Sequence, residues 1–376
     1  MSRRRGNGEG SIYQRRDGVW CGSLRTPGGA RKVVYGRTHG EVRRRLIELV
    51  HSKDSGTLGD ARGLTVGKFL DQWMIEVVQP SVRPWTYRGY DVHVRLHIKP
   101  VLGNLALEAV SPRHVQALLN QKLAEGLAPK TVRYIRGTLR TAFKQATRWG
   151  LLVRNPVDAV DGPKVERFEI RPFTPDEARQ FLRAIRGERL EALYSVALTM
   201  GLRQGEALGL RWQDVDLDLG NLRINKQLQR INGKFQLVEP KTPRSRRTLA
   251  LPGSIVVGLR EHRNRQLKER GVAGERWEAS DLVFTTETGR PLDGTVVSHH
   301  FHRQLDRAGI MQRRFHDLRH SCATLLLVQG VSPRVVMDVL GHSQIALTMN
   351  TYAHVLPQLR REAAERMEAL IAEREP

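Results

Sequence analysis

The sequence predicts a multidomain α+β protein. It reads as a small three-stranded N-terminal sheet with a helix, then an all-α bundle, then a mainly α domain with a small β-sheet. Three observations lead there. A chain of 376 residues is longer than one typical domain. Its apolar pattern changes from short runs between glycine turns to a 3.6-residue period from Leu64 onward. Two stretches, 51–63 and 154–177, lack periodicity, are rich in Gly, Ser or Pro, and read as linkers.

The N-terminal strands are "GSIYQRR", "VWCGSLRT" and "ARKVVYGRT". Asp17-Gly18 and Pro27-Gly28-Gly29 separate them, and glycine supplies the positive φ that a tight hairpin needs. Thr38 and Glu41 form a capping box for the helix that follows. Residues 1–50 hold 12 Lys and Arg against 4 Asp and Glu. A basic sheet bearing Tyr13, Trp20 and Tyr35, with Arg15, Arg16 and Arg31 among its cations, suits insertion of strands into a DNA groove. The plainer alternative is a solvated sheet whose aromatics form its core.

In the bundle, "TVGKFLDQWMIEVV" places Val66, Phe69, Leu70, Trp73 and Val77 on one helical stripe. "SPRHVQALLNQKLAEG" opens with Ser111 as cap and Pro112 in the first turn, and ends at Gly126. The next helix runs to Gly150 and carries Arg133, Arg136, Arg140, Lys144 and Arg148 at three- and four-residue steps. No acid is interleaved, so the stripe reads as a phosphate-contacting face in preference to an ordinary solvated one. Beyond the second linker, Thr174, Pro175 and Glu177 start a new helix. "NLRINKQ", "FQLVEPKT" and "SRRTLAL" form a strand-rich middle, with a turn at Asn232-Gly233.

The chain carries 62 Lys and Arg against 39 Asp and Glu, a net charge of +23. Such an excess points to a polyanionic partner, above all nucleic acid, because cations gain affinity by displacing counterions from phosphates. A membrane surface is the weaker reading, since no basic amphipathic helix with a strong apolar face is evident. The opening "MSRRRGNGEGS" leads into no apolar segment, so a signal peptide is not expected. No apolar run approaches the length of a membrane span. Cys21 and Cys322 lie far apart and suggest no disulfide framework. The expectation is a cytoplasmic or nucleoid-associated protein.

Four places in the second half carry chemistry. In "ALTMGLRQGEALGLRW" an apolar helix ends near Gly201, Arg203 follows, and Glu206 sits where it can hold the guanidinium. In "EPKTPRSRRTLALP" Lys241 stands at a strand end, followed by Arg244, Arg246 and Arg247, alone no more than a surface charge run. In "FHDLRHSCATLLLVQG" His316 and Arg319 share a helical face. His316 and His320 mimic half of a zinc site, but the accompanying Glu and any Cys pair are missing, so metal is not expected. In "LGHSQIALTMNTYAHV" a helix ends at Gly341, His342 follows, and Tyr352 lies beyond. Each has a bland reading: an ion pair, a cap, a core tyrosine. Together they supply what phosphodiester cleavage without a metal requires. Arginines neutralise phosphate charge, a tyrosine hydroxyl attacks, and a lysine or histidine protonates the leaving hydroxyl.

These stretches, in the order Arg, Lys, His-x-x-Arg, His, Tyr, closely resemble the tyrosine recombinases, in particular phage and mobile-element integrases. The resemblance implies a DNA breaking-rejoining fold in the catalytic half. It implies Tyr352 as nucleophile, Arg203 and Arg319 on the phosphate, and Lys241 as general acid. It further implies His316 in proton transfer, His342 hydrogen-bonded to the phosphate, and Glu206 in support. Lys226 and Lys234 lie in the same strand-rich region as Lys241 and compete for its role. The resemblance divides the chain into an arm-type DNA-binding domain (1–55), a core-binding helical domain (64–160), a catalytic domain (173–356) and a C-terminal helix (357–376) for packing on a neighbouring protomer, with docking on its own chain as the alternative. The implied partners are double-stranded DNA with core and arm attachment sites, three further protomers in a tetramer on DNA, and DNA-bending or directionality factors. No cofactor is implied, because the phosphotyrosyl link conserves the energy of the broken bond. Arg15, Arg16, Arg31, Arg133, Arg136, Arg140, Lys144, Arg244 and Arg246 are the candidate DNA contacts. Competing readings are a type IB topoisomerase, which a separate basic N-terminal sheet disfavours, and a non-catalytic DNA-binding regulator, which leaves the six-residue constellation unexplained.

Overall fold

The computed structural model describes residues 10–15, 17–25, 31–54, 63–166, 170–231, 233–240, 243–341, 364–365, 367–368 and 371. The chain divides into two units, Met1–Arg167 and Phe168–Pro376.

The first unit opens with the antiparallel sheet β1 (Ser11–Gln14), β2 (Trp20–Arg25) and β3 (Arg31–Gly36), β2 central. Gly18, at φ 81°, makes the first turn. The helix His39–Asp54 packs on one face of the sheet. Gly22 lets it approach, since a Cβ there would meet Val42 Cγ1 at 2.9 Å. Thr38 Oγ1 accepts the Glu41 amide N–H at 3.2 Å as the capping pattern requires. Glu41 itself turns to the Arg37 amide N–H (3.0 Å) and the Arg45 guanidinium (2.8 Å). Cys21, Leu24, Val42 and Leu46 are the buried apolar residues here, while Tyr13 and Tyr35 are exposed. Neither tyrosine is therefore core, whereas Trp20 is half-buried with its ring edge-on to His39 at 5.0 Å. Period-2 alternation places both tyrosines, which flank Cys21 in register, on the face opposite Gly22.

The helical part of this unit buries one cluster running from Val66 to Val160. The helix Val66–Trp73 starts at Thr65, whose side chain accepts the Lys68 N–H. It presents Val66, Phe69, Leu70 and Trp73 inward, as the stripe predicts. A π-helical turn over Met74–Val78 then widens the coil, so Val78 is buried and the expected Val77 only partly. Ser111 and Pro112 open the helix Pro112–Ala124, and Pro129–Arg148 follows, closed by Gly150 at φ 71°. The stretch read as a linker from Arg154 begins instead with a 3₁₀ turn, Pro156–Ala159, that puts Val157 and Val160 into the core.

The second unit is mainly α around a large apolar cluster that includes Phe173, Phe181, Tyr194, Phe284 and Phe301. Thr174 and Glu177 cap the helix Pro175–Ala184 reciprocally. The strand-rich middle is two small sheets. β4 (Val215–Asp216), β5 (Asn221–Ile224) and β8 (Arg247–Ala250) form one, and the hairpin β6 (Gln227–Ile231) and β7 (Lys234–Val238) the other. "NLRINKQ" is thus split between sheets at Asn225, whose side-chain Nδ2 donates to Asp214 Oδ1 (2.8 Å). Among the described residues, no helix is long and apolar enough to cross a membrane.

Candidate active site

Three elements meet at Arg203, Arg319 and Arg247. The apolar helix Glu191–Met200 ends at Gly201, which takes φ 61° and ψ 35°, a left-handed close that stops the helix. A side chain at Gly201 would also collide with Leu340 Cδ2 at 2.6 Å. The chain emerges extended at Arg203 and re-enters a helix at Gln204–Leu208. Glu206, one turn in, accepts the Arg203 backbone N–H (3.1 Å) and its Nη1 (2.6 Å). Arg203 keeps 35 % of its side chain exposed, while Glu206 is 2 % exposed.

Arg319 behaves differently. It sits in the helix His316–Val328 and is 2 % exposed. Its Nη1 donates to Gly201 O (2.8 Å) and its Nη2 to Leu340 O (2.6 Å). Both acceptors lie at helix C-termini, where carbonyls lack intrahelical partners and carry partial negative charge. The helix Pro333–Leu340 opens on Ser332, whose side chain accepts the Val335 N–H, and closes on Gly341 at φ 66°, as the Ser-Pro and Gly signals predict.

Sequence reading missed Arg247. It stood within a presumed surface charge run, yet its side chain is 7 % exposed and pairs with Glu206 Oε2 at 3.1 Å. The signal lay in strand alternation. Leu249 of β8 is buried, so Arg247, two residues earlier, shares its inward face. Arg246 faces out and pairs with Glu239 (2.6 Å). Burial alone would raise the Glu206 pKa, but Arg247, Arg203 and Arg319 outweigh it and hold the carboxyl below its usual range.

His316 opens its helix, with its ring edge-on to His320 at 5.0 Å. The residue is exposed at its rim, yet enough protein surrounds the imidazole that desolvation, then the charges of His320, Arg319, Arg203 and Arg314, push its pKa down to about 4. At neutral pH it is an uncharged ring with one acceptor nitrogen. The sign of its linkage follows. The unfolded chain takes up the proton near 6.5, the folded chain near 4, so folded-state stability is lost as pH falls between those values. A His316-dependent limb in single-turnover DNA cleavage is expected only below about pH 5, with a flat profile between about pH 6 and 8. Comparison with His316→Gln checks this, and a limb at 6.5 that vanishes in the variant would contradict it.

Cys322, in the same helix, is buried. Its thiol donates to Thr199 O (3.3 Å), and burial pushes its pKa up to about 12, as befits a small packed residue. Lys241, His342 and Tyr352 lie outside the described residues, as does Arg16.

The candidate DNA contacts divide. In the helix Pro129–Arg148, Arg133 and Lys144 are exposed. Arg136 instead donates to Val160 O (2.6 Å) and Val157 O (3.3 Å), and Arg140 Nε meets Asp158 Oδ1 at 2.6 Å. No acid is interleaved within the helix, but the fold brings one from the segment that follows it. Two of the four cations thus have a local task, tying Pro156–Val160 to the bundle. Arg31 Nη2 donates to Ser23 Oγ (2.9 Å) and lies over the Tyr13 ring, 6.0 Å from its centroid. Arg15 pairs loosely with Asp17 at 3.7 Å, and Arg244 lies on the short 3₁₀ turn Pro243–Ser245.

With this geometry in hand, comparison with known proteins is specific. Residues 171–358 match the phage integrase family, and residues 65–123 match the phage integrase N-terminal SAM-like domain. A tyrosine recombinase XerC-like protein of Caldanaerobacter subterraneus is 34% identical over 359 residues, covering 90% of this chain and 92% of that one. The fold resembles the Tn1549 transposon integrase solved with a circular intermediate DNA, at TM-score 0.68 and 22% identity over 81% of this chain and 99% of that one. It also resembles a lambda integrase tetramer bound to a Holliday junction, at TM-score 0.56 and 21% identity over 93% and 96% of the two chains. A full-length relative at this identity, a family match over the half that holds the arginine cluster, and a shared fold agree: the chain belongs to the phage integrase family of tyrosine recombinases.

Proposed function

We propose that this chain is a site-specific DNA recombinase that integrates or excises a mobile element by breaking and rejoining strands through a 3′-phosphotyrosyl intermediate. Tyr352 Oη attacks the scissile phosphorus and the bond to the 5′ oxygen breaks. The departing 5′ oxygen takes a proton from Lys241, and Tyr352 loses its own with help from the neutral His316. Arg203 presents its partly exposed guanidinium to the non-bridging oxygens, Arg319 adds positive charge, and His342 completes the contacts. Attack by the 5′-hydroxyl of another strand reverses the step and releases the tyrosine, so no external energy source is drawn on.

The observation that carries this reading is the clustering of Arg203, Glu206, His316 and Arg319. The pair Arg203–Glu206 is distant in sequence from the pair His316–Arg319, yet Arg319 and Arg203 both depress the His316 pKa and both sustain the ionised Glu206. Such mutual perturbation in a group of cations marks an anion site. The boundaries 1–55, 64–160, 173–356 and 357–376 serve as arm-binding, core-binding, catalytic and protomer-packing parts. The exposed Tyr13, Tyr35 and Arg31 on the open sheet face suit strand insertion into an arm site. The working assembly is a tetramer on two DNA sites, with bending and directionality factors setting its direction.

The test is a nicked duplex taken from DNA flanking the protein's own gene, incubated with the full chain in EDTA. A denaturation-resistant adduct, with the nucleotide mapped by mass spectrometry of the digest to the peptide holding Tyr352, is the expected result. Tight binding with no adduct, and no relaxation of supercoiled plasmid, would instead identify a binding protein.

A further inference from the structure

We infer that Arg247 is a positioning residue for cleavage, joining the Arg203 side of the site to the end of the helix from which the His342–Tyr352 segment departs. The inference rests on the function proposed above. Each guanidinium nitrogen of Arg247 reaches a different part of the chain. Nη2 donates to Glu206 Oε2 (3.1 Å), Nη1 to Ser245 O (3.0 Å) and Nε to Val339 O (2.6 Å). Glu206 is the carboxylate that orients Arg203. Ser245 belongs to the turn that follows the Lys241 segment. Val339 O is one of the helix-terminal carbonyls, and its neighbour Leu340 O is taken by Arg319.

Gly341 supplies a second observation. A Cβ there would lie 3.2 Å from Arg247 Nη1, 3.3 Å from its Cδ and 3.1 Å from Arg244 O. The backbone immediately before His342 is therefore pressed against Arg247, in a left-handed conformation that also favours glycine. A planar fork can hold three acceptors at fixed angles, whereas an ammonium on a flexible stem holds them as a point charge. Lysine at this position keeps the charge opposite Glu206 and loses the link to Val339.

The experiment uses the full chain and the nicked duplex in EDTA. It measures the cleavage rate at saturating DNA, the duplex Kd and the thermal midpoint for wild type, Arg247→Lys, Glu206→Gln and the double variant. Misplacement of reacting groups by about an ångström costs on the order of a hundredfold. Arg247→Lys is expected to slow cleavage by that order with Kd within about twofold of wild type. The double variant is expected to be no slower than the slower single one, because each change interrupts one continuous path from Arg203 through Glu206 and Arg247 to Val339, at a different contact. The proposal is overturned if Arg247→Lys cleaves at the wild-type rate, or if the two losses multiply in the double variant. Should Arg247→Lys fail to fold, the near-isosteric Glu206→Gln carries the test, and wild-type cleavage by it refutes the link. Absence of an adduct from wild type itself overturns the functional reading, a result distinct from wild-type cleavage coupled with a neutral Arg247→Lys.

Discussion

Tyr352→Phe is expected to form no covalent adduct with DNA while binding the duplex as tightly as wild type. The substitution removes one oxygen and keeps the ring, so packing and charge are unchanged. A thermal midpoint within about 4 °C and a Kd within about twofold are the expected accompaniments, since the net hydrogen bond of one hydroxyl is worth about 1 kcal/mol. The rate falls by at least about a thousandfold, the scale on which deletion of a nucleophile acts. The phenol is a poor nucleophile near neutrality because its free pKa is about 10. It depends on a proton acceptor, and His316 is uncharged and offers one acceptor nitrogen. The burial and cations that keep it uncharged also weaken it as a base, so the nearby cations must carry much of the task by stabilising the phenolate. Single-turnover cleavage of the nicked duplex in EDTA is the measurement. A persistent adduct in the variant would assign the nucleophile elsewhere and remove Tyr352 from the mechanism.

Arg319→Ala is expected to damage the fold and the reaction together. Two buried carbonyls, Gly201 O and Leu340 O, lose their donor. Each stranded polar group costs about 1–3 kcal/mol, and the cavity left by a large side chain adds to this. A loss of about 3–5 kcal/mol, read as a fall of roughly 6–20 °C in the midpoint of a unit this size, is the expected result. Cleavage should fall by more than the folded fraction accounts for, because the phosphate also loses a cation worth about 10²–10³ in rate. Arg203→Ala is the contrasting control. Arg203 is partly exposed, and Glu206 retains Arg247, so cleavage should drop with little change in the midpoint. Equal thermal losses in the two variants would contradict the division of labour between a buried arginine and an exposed one.

Much of the catalytic half was legible because its signals are local. Gly201 and Gly341 end helices through a conformation that glycine adopts cheaply, and Thr174 with Glu177 begins one by capping. Spacing alone placed Glu206 against Arg203, one helical turn away. In the helical bundle the apolar stripe named Trp73 correctly and held only in part at Val77, which packs against the core half-buried, because a π turn shifts the register toward Val78 and nothing in the residue types announces it. The basic stripe was read as continuous, since Asp158, which occupies Arg140, comes from beyond the helix. Arg247 escaped notice for the same reason: its partners Glu206 and Val339 lie far along the chain on either side.

What the sequence by itself determined is the order of elements, their caps and turns, the polyanionic partner implied by a charge of +23, and the family to which the Arg, Lys, His-x-x-Arg, His, Tyr order points. These depend on short-range periodicity, backbone preference and side-chain chemistry. Only the tertiary structure decided which arginines are free to meet a phosphate and which are held by the protein's own carbonyls and carboxylates. A guanidinium satisfies whichever acceptor the fold brings within about 3 Å of it, and that proximity is a property of packing between segments distant in the chain.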